Sequence, residues 1–96
     1  MISQYTIPVP NPAVVGRIVS GEAVLVLPTK GQVKVLNEAG ARIWSLIDGA
    51  RPAAEIIQVI HAEFAVSVED ATVDTLRFLE QLAEREIITF SDSGKE

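Results

Sequence analysis

The stretch from Gly31 to Trp44 constrains the fold most, because the spacing of its apolar residues changes halfway along. Between Gly31 and Leu36 polar and apolar side chains alternate, and a period of two predicts a β-strand with one face buried. Beyond Asn37 the apolar residues recur at helical spacing, at Ala39, Ile43, Leu46 and Ile47. Asn37 itself is a residue type that caps helices with its side-chain oxygen. The sequence therefore predicts a strand that runs directly into a helix at Asn37.

Two more strands are predicted before this one. Residues from Val14 to Val19 form a first candidate, and the Ser-Gly pair that follows is typical of a turn between antiparallel strands. The run from Glu22 to Leu27 is almost wholly apolar, which predicts a central strand covered on both faces. A tight turn is predicted from Pro28 to Gly31. The three strands form an antiparallel meander, with the strand from Gly31 to Leu36 at its edge or beside one short partner.

Three helices are predicted after these strands. The first runs from about Glu38 to Asp48 and stops at Gly49, since glycine is the usual residue where a helix ends. The pair Arg51–Pro52 opens the second helix. Ser67 begins the third, which extends to about Glu86. The predicted fold class is α+β and winged helix-turn-helix-like, with a three-stranded antiparallel sheet followed by a three-helix bundle.

The third helix has an unusually wide apolar side. At 100° per residue its apolar residues spread over about 160°, against roughly 100° for an ordinary surface helix. These residues are Leu76, Phe78, Leu79, Leu82 and Ala83. If Phe78, Leu79 and Leu82 face the core, the remaining apolar side chains border a groove. We predict that this border consists of Val73, Leu76 and Ala83, with Arg77 and Glu80 at its rim.

The two ends of the chain are predicted to lie outside the domain. Residues 1–12 contain three prolines at alternate positions, which fix an extended backbone and remove three hydrogen-bond donors. We therefore expect an extended N-terminal arm there, which either packs one apolar side, Tyr5, Ile7 and Val9, on the domain or forms a partly ordered terminus. The domain itself spans residues 13–90, with a short closing strand over 87–90, and residues 91–96 form a polar tail.

Composition narrows the range of functions. The 96 residues suffice for one domain with its own core. No apolar run approaches the roughly 20 residues that span a bilayer, and no signal peptide is visible, so we expect a soluble, cytoplasmic protein without a membrane partner. A net charge of −5 disfavours nucleic acid as a partner. With no cysteine and one histidine, His61, we expect no metal, no cofactor and no catalysis, and we interpret His61 and Trp44 as structural.

Five segments of the chain together match a known pattern. They are Val24 to Leu27, Leu36 to Trp44, Leu46 to Gly49, Glu55 to Ile57, and Asp74 with Phe78, Leu79 and Leu82. They resemble the PqqD family, the small peptide-recognition domains of pathways that modify ribosomally made peptides. The likeness covers about residues 8 to 90, and Leu-Asn-x-x-Gly-x-x-Ile-Trp followed by Asp-Gly is its most specific part. The pair Arg51–Pro52 departs from the family pattern, in which a basic residue and threonine follow Asp-Gly.

The resemblance implies a non-catalytic domain that binds the leader segment of a ribosomal precursor peptide as an added strand. The groove would lie between the third strand and the third helix, and strand addition needs such an open ladder beside apolar pockets. The predicted peptide-binding residues are Gln32, Val33, Lys34, Val35 and Leu36 on the strand, and Val73, Leu76, Arg77, Glu80 and Ala83 on the helix.

The implied partners follow from the same likeness. They are the leader region of a precursor peptide and a leader peptidase or other modifying enzyme. A lasso-peptide pathway is favoured over a radical enzyme of the pyrroloquinoline quinone type, and we expect a monomer or weak dimer.

Two other functions compete with peptide binding. A winged-helix nucleic-acid-binding domain would need a basic recognition helix. The second helix has no Lys or Arg after Arg51, and the third has only Arg77 and Arg85 among several acids. A small dimerisation scaffold would use the same open strand edge and stays an alternative.

Overall fold

The elements follow the predicted order in the computed structural model, which describes residues 2–92. The strands are β1 (Thr6–Pro10), β2 (Val15–Val19), β3 (Glu22–Leu27), β4 (Gln32–Leu36) and β5 (Ile88–Asp92). The helices are α1 (Glu38–Leu46), α2 (Ala53–Phe64) and α3 (Val68–Glu84), and a short 3₁₀ turn over Pro28–Lys30 precedes β4. The direct passage from strand to helix at Asn37 is confirmed.

The main sheet has the strand order β2-β3-β4, with both pairs antiparallel. This confirms the predicted three-stranded meander. Its inner face is formed by Ala23, Leu25 and Leu27 of the central strand, which are all buried. Helix α1 packs across that face, and Trp44 meets the sheet where β2 has a glycine. A Cβ at position 16 would lie 2.9 Å from Trp44 Nε1, so Gly16 is required for this close approach.

The prediction that β3 is covered on both faces is wrong. Among residues 2–92 its inner face is buried, while Val24 and Val26 on the outer face are only half-buried. The sequence pattern is typical of a strand with both faces covered. In this fold the helices cover the inner face of β3, and its outer face stays partly exposed.

Two side-chain caps begin the helices as predicted. The Asn37 side chain accepts a hydrogen bond from the Gly40 N–H at 2.9 Å, and Ser67 Oγ accepts one from the Asp70 N–H at 3.0 Å. Helix α1 ends two residues before the predicted Asp48, because the Asp48 carboxylate accepts hydrogen bonds from backbone N–H groups of the following turn. This local alternative to helical bonding is characteristic of aspartate.

The core lies between the inner face of the sheet and the three helices. Its fully buried side chains include Leu25, Ile56, Ile57, Leu79, Leu82 and Ile88. His61 lies at the end of α2, with Nδ1 at 2.5 Å from the Val66 carbonyl oxygen. This contact ties the end of α2 to the loop before α3.

The N-terminal segment is held against the domain. Strand β1 pairs with β5 in a separate two-stranded antiparallel sheet, and Pro8 is buried there. The Gln4 carbonyl accepts a hydrogen bond from the Ala54 N–H at 2.6 Å, at the start of a helix that has no side-chain cap. The predicted closing strand thus exists, but it pairs with the arm. Residues 91 and 92, predicted as tail, belong to β5, and residues 93–96 lie outside the described part.

The α+β class, the three-stranded antiparallel sheet and the three helices are confirmed. The winged helix-turn-helix description is not established by this architecture, which adds a second sheet. No helix within residues 2–92 combines the length and apolar character needed to cross a membrane.

Candidate peptide-binding site

Strand β4 is an edge of the main sheet, since its one neighbour in that sheet within residues 2–92 is β3. The unpaired backbone groups along such an edge are a template for another chain. In antiparallel sheets hydrogen-bonded and non-hydrogen-bonded residue pairs alternate along each strand. The phase of this alternation decides which residues of β4 bond to β3 and which have free backbone groups at the edge.

The loop between β2 and β3 fixes this phase. Its two residues, Ser20 and Gly21, have φ values of 52° and 82°, as a type I′ hairpin turn requires. The flanking residues Val19 and Glu22, which are partners in the register, then form a hydrogen-bonded pair. It follows that alternate residues of β3, beginning with Glu22, direct their backbone groups toward β2.

The other residues of β3 direct theirs toward β4. They pair Ala23 with Leu36, Leu25 with Lys34, and Leu27 with Gln32. The N–H and C=O groups of Val33 and Val35 therefore point away from the sheet. An added strand would bond to these two residues.

Helix α3 lies on the same side of the molecule as this edge. A Cβ at position 40 would meet Phe78 Cζ at 3.2 Å and Leu36 Cβ at 3.3 Å, so the Phe78 ring lies beside the end of β4. At the other end, Lys30 Nζ is 3.1 Å from Glu86 Oε1. Helix α3 consequently runs antiparallel to β4.

These contacts show which flank of α3 faces the strand. The buried side of the helix carries Ala71, Thr75, Leu79 and Leu82. At 100° per residue Phe78 lies about 40° from Asp74 and about 20° from Arg85, but about 160° from Leu76. The flank of α3 that turns toward the end of β4 carries Asp74, Phe78, Gln81 and Arg85. We call it the Phe78 flank.

The structure brings the five predicted strand residues together at the edge. Val33 and Val35 are each 62% exposed and lie on the outer face, whereas Gln32, Lys34 and Leu36 lie on the inner one. The side-chain oxygen of Gln32 is buried and has no hydrogen-bond partner in the described part of the chain.

The five predicted helix residues are placed differently. Val73 is 52% exposed, Leu76 and Ala83 are half-buried, and Arg77 and Glu80 are exposed. All five lie about 100° or more from Phe78 around the helix. The position of Phe78 beside the end of β4 turns the opposite flank of α3 toward the edge, which favours helix residues other than the five predicted from the sequence. Whether any of the five contacts a peptide stays a prediction.

One surface was missed by the sequence prediction. Directly opposite residues of antiparallel strands share a face, and the register places six valines on the outer side of the sheet: Val15, Val19, Val24, Val26, Val33 and Val35. Arg17 and Glu22 share this side. The alternation of valines in β3 and β4 was a signal for it. We call this surface the valine face.

Comparison with known proteins agrees with this geometry. The fold and the open edge define a small α+β domain with an exposed strand at the edge of its sheet. The family model described as coenzyme PQQ synthesis protein D (PqqD) matches residues 22–88, and the chain belongs to the PqqD family. The resemblance predicted from the sequence is confirmed.

Two solved structures are similar over most of the chain. "TbiB1 in Complex with the TbiA(beta) Leader Peptide" is 32% identical, with a TM-score of 0.77, and the alignment covers 92% of this chain and 98% of that one. "Lasso peptide synthetase B1 complexed with the leader peptide" is 21% identical, with a TM-score of 0.77 and coverage of 85% and 96%. No protein of curated function matches the sequence.

Proposed function

We propose that this chain captures the leader segment of a ribosomal precursor peptide by strand addition and presents it to a processing enzyme. The observation that carries the proposal is the open β4 edge, with free backbone groups at Val33 and Val35 beside the Phe78 flank. A chain that is 32% identical was solved with a leader peptide bound, which supports the capture of a leader. A lasso-peptide pathway and its leader peptidase are the pathway and the enzyme that we assign in this proposal. The chain itself supplies binding and no chemistry.

The leader forms a fourth strand beyond β4 in this proposal. Its main chain bonds to Val33 and Val35, and its side chains alternate between two directions. Those on the inner side point toward α3, where Phe78 offers an apolar contact and Asp74 and Arg85 offer charges. The leader side chains on the inner side give specificity for the leader sequence. The main-chain hydrogen bonds to β4 give affinity for any extended segment.

The leader side chains on the outer side of the sheet continue the valine face. The exposed Val33 and Val35 lie at its border, so a bound leader enlarges this apolar surface by one strand. Exposed apolar surfaces of this kind mark sites of protein association. The valine face together with the leader is thus the surface that we assign to the processing enzyme, which would bind best when the leader is present.

A proline at Val35 tests the ladder directly. Because the Val35 N–H points away from β3, proline removes the bond to the leader while leaving the bonds between β3 and β4 in place. Loss of a main-chain hydrogen bond from an otherwise intact interface is expected to weaken leader binding at least about tenfold. Titration of a fluorescent leader peptide, with the TbiA(beta) leader of the 32% identical complex as the probe, measures the change.

Val35→Thr is the matched control, since it keeps the N–H and the β-branched shape, and it should bind within about twofold of wild type. Lys34→Pro should instead destabilise the fold, because the Lys34 N–H bonds to β3. A folded Val35→Pro variant with wild-type affinity would exclude strand addition at this edge.

A further inference from the structure

The opposite edge of the main sheet is also open. All five residues of β2 are exposed. Within residues 2–92, β2 pairs with β3 on one side and with no strand on the other, because β1 belongs to the second sheet. By the phase derived above, Gly16 and Ile18 direct their backbone groups away from β3. Edge strands are usually protected by proline, bulges or several charges, and β2 carries only Arg17.

A cleft of about 280 Å³ adjoins this edge on the inner side of the sheet. It is lined by Ile18, Gly21, Glu38, Ala41, Arg42, Ser45, Glu63 and Phe64. Ile18 is 57% exposed although it lies on the inner face. The cleft is therefore an open site with apolar walls next to an unpaired ladder.

The charges of the cleft select a cationic occupant. Arg42 donates two hydrogen bonds of 2.9 Å to the Glu63 carboxylate, so these two charges neutralise each other. Glu38, the first residue of α1, has no ion-pair partner within residues 2–92. The remaining charge of the cleft is the Glu38 carboxylate, and Ile18 and Phe64 contribute apolar groups to the same lining. Lysine and arginine side chains combine a long apolar stem with a cationic end, which fits both features.

We propose that the β2 edge and this cleft receive an extended segment of the processing enzyme, with a lysine or arginine side chain in the cleft. The inference rests on the proposed function. A second copy of this chain fits less well, because its net charge is −5 and its own β2 cation, Arg17, lies on the outer face. The β2 edge also borders the valine face, so one enzyme can contact both surfaces.

Glu38→Gln tests the cleft in the full chain. Binding of the cognate leader peptidase of the proposed function should weaken roughly fivefold, the upper range for one exposed ion pair. Ile18→Lys should weaken it more than about tenfold, because the new lysine occupies the cleft and pairs with Glu38 itself. Glu69→Gln is the matched control, since Glu69 also stands in the first turn of a helix, and it should leave peptidase binding unchanged.

Leader affinity, measured separately, should stay at the wild-type value in all three variants. Wild-type peptidase affinity in folded Glu38→Gln and Ile18→Lys would overturn this proposal, and so would the absence of any peptidase binding by a wild-type chain that binds the leader. Failure of the proposed function has a different signature, because the wild-type chain would then not bind the leader.

Discussion

Phe78 is the residue at which the two possible rotations of α3 differ. From the sequence, Phe78 and Leu76 both belong to one wide apolar arc, so either flank could have faced the strand. The deciding observation is the position of Phe78 beside Gly40, where a Cβ added to the glycine would lie 3.2 Å from Phe78 Cζ and crowd the ring. That fit involves residues nearly forty positions apart, and local periodicity carries no information about it.

Phe78→Ala should therefore weaken leader binding about tenfold or more, since it removes the aromatic surface beside β4. Because Phe78 is only half-buried, its loss should cost about 1–3 kcal/mol of stability, less than the range for a fully buried ring. Leu76→Ala is the control of comparable burial on the opposite flank, and its affinity should stay within about twofold of wild type. Calorimetric titration with the leader, after thermal melts to verify folding, compares the two. The reverse order of affinities would restore the helix residues predicted from the sequence.

Among the helices and strands, the features predicted correctly from the sequence are those that depend on residues close together in the chain. The caps at Asn37 and Ser67, the strand-to-helix change and the three meander strands depend on neighbouring residues, and all are present. Strand β1 was missed as a strand because its partner β5 begins at Ile88, and its prolines lack the donors of an ordinary ladder. The valine face was missed for another reason: the alternation of valines in β3 and β4 indicates burial, but it does not say whether this chain or a partner covers them.

The ion pair between Arg42 of α1 and Glu63 of α2 should make the stability of the fold depend on pH. Hydrogen bonds from Arg42 lower the pKa of Glu63 from its ordinary value of 4.5. A carboxylate whose pKa is lower in the folded state stabilises the fold above its unfolded pKa, and this stabilisation is lost as the pH falls through the folded pKa. Glu63→Gln should thus lower the urea midpoint more at pH 7 than at pH 3.

Glu80→Gln provides the comparison, because Glu80 has no ion pair in the described part of the chain, and its urea midpoint should differ little from wild type at either pH. An equal loss of stability in Glu63→Gln at pH 3 and pH 7 would show that the ion pair does not link the two helices.

For the molecule as a whole, the main sheet offers one covered face, one open face and two open edges. An independent domain of this size usually covers more of its apolar surface, so this distribution is expected of a protein that works inside a larger assembly. The net charge of −5 keeps copies of the chain apart by repulsion, while the nearly uncharged valine face stays available to a partner.

The valine face can be tested separately from the β4 edge. Val24→Lys and Val33→Lys place charges on the outer side of two strands but keep every backbone N–H, so the ladder offered to the leader is unchanged. Leader affinity should stay within about threefold of wild type, whereas affinity of the leader-bound complex for the peptidase should fall about tenfold or more, because a buried unpaired charge opposes association. Gln58→Lys adds the same charge at an exposed position of α2 and should change neither affinity. Peptidase binding that survives both valine substitutions, in folded variants that retain the leader, would show that the enzyme contacts a different surface.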